Sequence, residues 1–411
     1  MQRVFIVCIA LLLSLVSMSQ TICGSATYEQ EVLSKNAGVR ERMNAIHSFM
    51  ARHSQIKPRT GGASGQVGGD IQVLRIPVVV HVLYSEAFHN ISYEQIRSQI
   101  EVLNKCFRRQ NAMGTLPGMF ANLAADVRIE FQLANIDPVG NPTTGIVRKR
   151  TTIEFFSIDD RIKSSARGGS DAWDPSQYLN IWVGNTTGGV IGYASFPGGA
   201  PETDGIVVRH SAFGTTGTVT APYNLGKTTV HEVGHWLGLR HIWGDADCGN
   251  DHVEDTPPQQ GPSRGCPSGL PVSCSNNGNM YMNYMDLTSD ACTSMFTLGQ
   301  ASRMRSLFFA GGPRHTFLTS KGCDGTPVEE TSVEETIVTG LSVYPNPATN
   351  LVSLELSDAP AGERIEIYSL SGHLMATGTV AGQLTSMDIR ILPRGTYIIR
   401  VGAMQKKLLK Q

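Results

Sequence analysis

Apolar positions change their period several times along the chain, and each change marks an element. Ile76-Pro77-Val78-Val79-Val80-His81-Val82-Leu83-Tyr84 is a nearly unbroken β-branched run, which predicts a strand buried on both faces. Shorter runs predict strands at residues 127–133, 144–151, 178–183, 189–194 and 205–208. Two stretches switch to the helical period. Ser92 followed by Gln95 resembles a capping box opening a helix over residues 93–108, and residues 228–239 read as a second long helix. A twisted sheet backed by two helices follows, an α+β domain. Ahead of it, a polar segment carries a weak helical pattern over residues 28–49 (Val32, Leu33, Val39, Met43, Ile46, Phe49). Behind it, residues 324–337 are rich in Glu, Thr, Val and Pro and read as a linker. Residues 338–411 then alternate with period two at 341–344, 352–356, 364–368 and 397–401, predicting a small all-β sandwich module.

Composition changes this picture little: 411 residues, 41% hydrophobic and 17% charged with a formal net charge of −1, suit two or three domains and give no bias toward nucleic acid or a membrane surface. Residues 1–19 do change it. Arg3 precedes an apolar run at 4–16 that is short for a bilayer, and Ser17 and Ser19 have the spacing signal peptidase requires, so a signal peptide and export are expected. Cys23 follows Gln20-Thr21-Ile22, the wrong context for a lipid anchor, and no later stretch is long and apolar enough for a transmembrane segment. An oxidising compartment favours pairing of the cysteines. Cys248, Cys266, Cys274 and Cys292 cluster, and their spacing alone leaves three connectivities open. Cys106 and Cys323 have no assigned partner, although a third bridge between them is conceivable.

The chemistry concentrates in Thr228-Thr229-Val230-His231-Glu232-Val233-Gly234-His235-Trp236-Leu237-Gly238-Leu239-Arg240-His241. His231 and His235 lie four apart, so one helix face presents both ring nitrogens to the same ion. Glu232 beside them has the position of a general base toward an attacking water. Gly238 can take a positive φ, end the helix and return His241 as a third ligand, leaving one coordination position open, as hydrolytic zinc requires. His81, within an apolar strand, and His210, at a strand end, read as structural. The simple alternative for His231 and His235, two solvated rings on an amphipathic helix, fits poorly with their apolar neighbours.

The extended motif His231-Glu232-x-x-His235-x-x-Gly238-x-x-His241, with Asn283-Tyr284-Met285-Asp286 downstream, resembles the zinc site and Met-turn of the metzincins. Trp243-Gly244-Asp245, Cys248, residues 251–257, Asp290-Ala291-Cys292 and Met295-Phe296-Thr297 narrow the resemblance to the pappalysin family, over residues 20–322. It implies a metalloendopeptidase with one catalytic zinc on His231, His235 and His241, Glu232 as catalytic base and Met285 as the Met-turn methionine. It implies a catalytic domain at 61–323 with a disulfide-pinned C-terminal subdomain, bridged Cys248 to Cys274 and Cys266 to Cys292. Residues 188–198 fit the family's edge strand above the cleft, where an extended peptide substrate would pair. Residues 20–60 resemble a propeptide ending in a basic cleavage stretch, Lys57-Pro58-Arg59. The Cys23-Gly24-Ser25 opening implies a zymogen switch in which the Cys23 thiolate fills the open zinc position. Structural calcium is implied at Asp251 and Thr256, where hard oxygens lie on a turning loop.

Two departures qualify the resemblance. The family's Met-x-Tyr reads Met285-Asp286-Leu287 here, so a phenol that would stabilise the oxyanion is absent unless Tyr281 or Tyr284 replaces it. Thr293 stands where arginine-specific members carry an acid. The terminal module, with Tyr344-Pro345-Asn346-Pro347-Ala348, Ser371-Gly372, Leu392-Pro393-x-Gly395-Thr396-Tyr397 and a basic tail, resembles the sorting domain of type IX secretion. That implies passage through periplasm and outer membrane to the cell surface or medium, with the secretion machinery as a partner besides protein and peptide substrates. A carbohydrate-binding or adhesion sandwich is the alternative for this module alone. For the whole chain, a surface adhesin on a weakened metzincin scaffold is the alternative to a secreted zinc endopeptidase.

Overall fold

A computed structural model describes residues 22–54, 72–111, 116–328, 341–356, 362–369, 372–402 and 404–411. The expected signal peptide at 1–19, the basic stretch at 57–62 and most of the expected linker lie outside the described residues. The first described elements are a short strand, β1 (Ile22–Cys23), and two helices, α1 (Ser25–Lys35) and α2 (Ala37–His53). The single weak helix expected over 28–49 is therefore two. Asn36 divides them: it is extended (φ −148°), and its side chain accepts from the Gly38 and Val39 amides, capping α2.

The α+β domain follows with β2 (Leu74–Tyr84), α3 (Tyr93–Phe107), a single turn α4 (Gly118–Ala121), β3 (Ile129–Leu133), β4 (Ile146–Arg150), β5 (Leu179–Gly184), β6 (Val190–Ala194), β7 (Ile206–Arg209), α5 (Lys227–Trp236) and α6 (Leu298–Ser306). The sheet runs β1-β6-β7-β5-β2-β3, with β4 also on β2. Strand β6 is antiparallel to β7, and β1 lies parallel on the outer side of β6. Val78, Val80 and Val82 of β2 face Ile96, Ile100 and Leu103 of α3 and Val230 and Val233 of α5. Full burial of such side chains is worth about 1.5–3 kcal/mol each, so this layer fixes α5 against the sheet. On the opposite face Leu83, Trp182, Tyr193 and Val207 form a smaller cluster with Phe156, Ile162 and Tyr28 from α1.

One expectation needs correction, and one helix was not expected. Ser92 caps α3 by accepting from the Gln95 amide at 3.2 Å, but Gln95 does not reach back to complete a box. Its amide group donates instead to the carbonyls of His210 (3.0 Å) and Phe213 (2.8 Å), buried acceptors on a loop with no ladder of their own. A true capping box occurs at Thr297 and Gln300 and opens α6, which the periodicity does not reveal. The inward face of α6 is mixed: Ala301 and Met304 enter the core, while Gln300 pairs with Asn283 and Arg303 donates to the Gly238 carbonyl.

The terminal module has β8 (Leu341–Tyr344), β9 (Leu351–Leu356), β10 (Arg364–Ser369), β11 (Leu374–Thr379), β12 (Leu384–Asp388), β13 (Gly395–Val401) and β14 (Met404–Lys410). A four-stranded sheet, β11-β10-β13-β14, packs on a three-stranded one, β12-β9-β8, around Val352, Leu354, Ile365, Ile367, Ile399 and Leu408. Strands β11, β12 and β14 escape the period-two reading. The basic tail is itself β14, pairing Leu408 with Tyr397 and burying it while the flanking lysines stay outside.

Candidate metal centre

Helix α5 ends at Trp236, short of the expected residue 239, because Gly238 takes φ +79° and the Leu239 amide folds back onto the Gly234 carbonyl at 2.9 Å. The chain then turns His241 toward the helix. The Nε2 atoms of the three histidines converge: 3.0 Å between His231 and His235, and 3.2 Å from each to His241. Each opposite nitrogen faces an acceptor. Nδ1 of His231 meets the Tyr284 carbonyl (2.6 Å), that of His235 the Leu239 carbonyl (2.8 Å), and that of His241 the Asp245 carboxylate. Protons on Nδ1 satisfy all three, which leaves three Nε2 lone pairs aimed at one point. Such an array is repulsive without a cation between its members. A tetrahedral zinc, with nitrogen ligands at about 2.0–2.1 Å, requires neighbouring ligands roughly 3.4 Å apart, close to what is found. Burial, and then His241, hold His231 down to about 3, so it is in the neutral, ligating form.

Cys23 supplies a fourth donor. Its Sγ lies 3.5 Å from His235 Nε2, and the four donor atoms fall within 4.8 Å of one another. Burial, and then Glu232, push its thiol upward; a dication in the cluster would act in the opposite sense. Glu232 is fully buried. Desolvation raises its carboxyl to about 8, opposed by hydrogen bonds from Ser25 and Cys23. Ser25 Oγ donates to Glu232 Oε2 at 2.7 Å, whereas Oε1 has no hydrogen-bond partner among the described residues. A Cβ on Gly192 would lie 2.8 Å from Glu232 Oε1, so glycine in β6 is what admits the carboxylate beneath the edge strand. Met285 is buried under the helix, where a Cβ on Gly234 would meet its sulfur at 2.5 Å.

A cavity of about 410 Å³ opens beside the centre, lined by His231, Glu232, Tyr223, Lys227, Leu287 and Asp290, with Thr293 also on its wall. The Asp290 carboxylate accepts from the Leu225 and Lys227 amides at 2.8 and 3.2 Å, and Lys227 Nζ donates to Cys106 Sγ at 3.0 Å. The pocket therefore holds both an acid and a base, although Thr293 itself is neutral. Tyr284 packs its ring on Phe296 in the core, Tyr281 lies only partly buried, and Tyr223 is a third phenol on the pocket wall.

Below the centre, Cys248 is bonded to Cys274 and Cys266 to Cys292, each across 26 residues. Each such closure is worth about 3 kcal/mol in the chain-entropy model. Among the described residues Cys106 and Cys323 form no disulfide. Asp251 and Thr256 are buried and 2.7 Å apart; the threonine hydroxyl also lies 2.8 Å from the Val253 carbonyl. Asp255 instead accepts from Thr297 Oγ1 (2.6 Å) and the Gly299 amide (2.8 Å) at the start of α6. His81 is structural, with its nitrogens on Ser170 and Asn180 at 2.9 and 3.0 Å, and His210 sits near Thr218 at 3.2 Å. Four contributors were given no role in reading the sequence, Ser25, Gly192, Asp245 and Asp290, although Ser25, Asp245 and Asp290 stand in the motifs that carried the resemblance. Only Asp245, four residues after a ligand histidine, gave a local signal.

Comparison with known proteins agrees with this geometry. Residues 164–308 match the family described as pregnancy-associated plasma protein-A, and residues 342–411 match the secretion system C-terminal sorting domain. An extracellular metalloprotease of Arthroderma gypseum is 32% identical over 240 residues, 56% of this chain and 70% of its own. Extracellular metalloprotease 1 of Coccidioides posadasii is 42% identical over 136 residues, 32% of this chain and 49% of its own, so the chain spans about half the length of such curated relatives. Mature mirolysin of Tannerella forsythia, solved with a cleaved peptide, is 49% identical with TM-score 0.59, covering 60% of this chain and 96% of its own. A promirolysin mutant from the same organism is 43% identical with TM-score 0.63, covering 72% and 97%. The chain belongs to the pappalysin family of metzincins, and it carries the sorting domain of exported proteins. Among the described residues no helix is long and apolar enough to cross a membrane.

The geometry makes one demand on Asp245. Because its carboxylate orients His241, Asp245→Ala is expected to weaken zinc retention by about ten- to a hundredfold with the fold intact. Titration against a chromophoric chelator measures this; unchanged affinity would show that His241 needs no such partner.

Proposed function

We propose that this chain is a secreted zinc-dependent endopeptidase, made as a zymogen, that hydrolyses peptide bonds of extracellular proteins. The observation that carries the reading is the placement of the buried Glu232 carboxylate beside three histidines whose lone pairs converge. Zinc held by His231, His235 and His241 would contribute Lewis-acid chemistry, polarising a carbonyl and easing the ionisation of water. Glu232 takes the proton of the attacking water and delivers it to the leaving amine. An extended substrate pairs with β6 once β1 has left that edge. The reading as an adhesin rests on Leu287 alone, and relatives named as metalloproteases do not favour it.

The N-terminal segment acts as the propeptide. Cys23 fills the fourth corner of the metal cluster, and Ser25 holds the base, so neither water nor substrate reaches Glu232. The sorting domain addresses the chain to the type IX machinery. Calcium in the loop of Asp251 and Thr256 is part of the proposal. The two side chains and the Val253 carbonyl offer three clustered oxygens, fewer than the six to eight calcium takes, so further carbonyls or waters must complete the shell.

Glu232→Ala is expected to keep zinc at wild-type stoichiometry but to lose casein cleavage by a factor of a thousand or more, on the order of what removing an essential acid–base group costs. Retained cleavage would refute the assignment of the base. Cys23→Ala in the full chain should shorten the lag before autoproteolysis, followed by N-terminal sequencing; a variant as latent as wild type would mean that other contacts close the cleft. A chelator selective for calcium should lower the melting temperature if the loop binds it, since an ion held only by the folded state stabilises that state. An unchanged melting temperature, with calcium absent from the purified chain, removes the site.

A further inference from the structure

Outside the metal centre, one buried cation stands in an unusual setting. Lys163 has a side chain with 0% exposure on the outer face of the sheet. Its Nζ lies 2.9 Å from Asp160, donates to the Thr203 carbonyl at 2.9 Å, and sits 5.0 Å from the centre of the Tyr193 ring and 5.6 Å from that of Trp182. Asp160 is held in the left-handed region at φ +58°, a conformation aspartate tolerates better than most residues. The remaining wall is Tyr28 of α1. Its ring lies 4.5 Å from Lys163 Nζ and 5.1 Å from the Tyr193 ring; its hydroxyl donates to Asp160 Oδ2 at 2.8 Å and accepts from Lys163 at 3.3 Å. Both the ring and the hydroxyl of Tyr28 are thus recognised, the ring by a cation and an aromatic neighbour, the hydroxyl by an ion pair that both donates and accepts.

Every residue of this site except Tyr28 belongs to the catalytic domain. Departure of α1 leaves an ion pair at the floor of an aromatic depression with two hydrogen-bonding valences open. A second cavity of about 650 Å³, lined by Asp160, Thr203 and Phe196 together with residues of α1 and α2, adjoins it and would open at the same time. We propose that Lys163, Asp160, Tyr193 and Trp182 form a phenol-binding socket, filled by Tyr28 in this precursor and open to a tyrosine side chain of a bound protein once the N-terminal segment is gone. The second occupant rests on the zymogen reading above; the chemistry of the socket does not.

The test uses the full chain carrying Tyr28→Ala, which empties the socket with the rest of the segment in place, and the probes p-cresol and toluene, the side chains of tyrosine and phenylalanine. Binding is read by calorimetry and by the fluorescence of Trp182. The expectation is that p-cresol binds about tenfold or more tightly than toluene, because only the phenol satisfies Asp160 and Lys163, and that wild type binds neither. Equal or tighter binding of toluene overturns the socket, and since the comparison is made within one protein, it does not depend on how well a second variant folds. The full chain cut by limited trypsin treatment after Arg59, with the released segment removed, is then titrated with N-acetyltyrosinamide and N-acetylphenylalaninamide. The same preference supports the open socket, and equal binding or none overturns it. Neither arm requires hydrolysis, so a chain that prefers the phenol but cleaves no casein would sink the peptidase reading and leave the socket standing.

Discussion

Three imidazoles with their protons turned outward are the constraint on which the centre depends. Hydrogen bonds from Nδ1 to two carbonyls and one carboxylate fix each ring and its tautomer, and the inward lone pairs then have no partner but a cation. Much of the surrounding chain serves those three acceptors. The Tyr284 carbonyl comes from the turn that buries Met285, and the Leu239 carbonyl exists at its position only because Gly238 breaks α5. Two disulfides tie down the segment between His241 and that turn, which has almost no regular structure of its own.

The N-terminal segment closes the centre through contacts packed into the start of one helix. Cys23 and Ser25 reach the metal cluster and the base, while Tyr28 enters the outer face of the sheet and Glu29 makes a two-point ion pair with Arg240 at 3.1 and 2.9 Å. Further along, Met50 of α2 packs where a Cβ on Gly238 would lie, touching the bend that positions the third histidine. The segment therefore straddles the edge strand, with contacts on both sides of the sheet.

How much of this the sequence disclosed depended on whether the signal was local. The histidines, Glu232 and the glycine bend lie within a few residues of one another, and their chemistry was legible from spacing; the family resemblance supplied the cysteine pairs. Contacts such as Ser25 with Glu232 and Tyr28 with Asp160 join residues 207 and 132 apart, beyond the reach of any periodicity. Helix α6 was hidden for a different reason. Polar Gln300, Arg303 and Ser306 are buried beside Ala301 and Met304, so the apolar positions alone are too few to trace a helical period. In the terminal module, β14 read as a charged tail because only Met404 and Leu408 are buried along it and the two lysines between them, Lys406 and Lys407, are exposed, which breaks the alternation.

The direction of β1 has a consequence for how a cleft-blocking segment survives beside the groups it blocks. β1 runs parallel to β6, whereas β6 and β7 show the antiparallel pairing open to the same strand on its other side. A parallel neighbour meets the edge with slanted, evenly spaced hydrogen bonds, and its sequence of amide and carbonyl is reversed relative to that of an antiparallel strand. A peptide laid in the two senses offers its carbonyl carbons at different places along the edge. For the peptidase proposed above, a substrate laid antiparallel on β6 would run opposite to the segment that occupies the edge, and its carbonyl carbons would fall elsewhere along it.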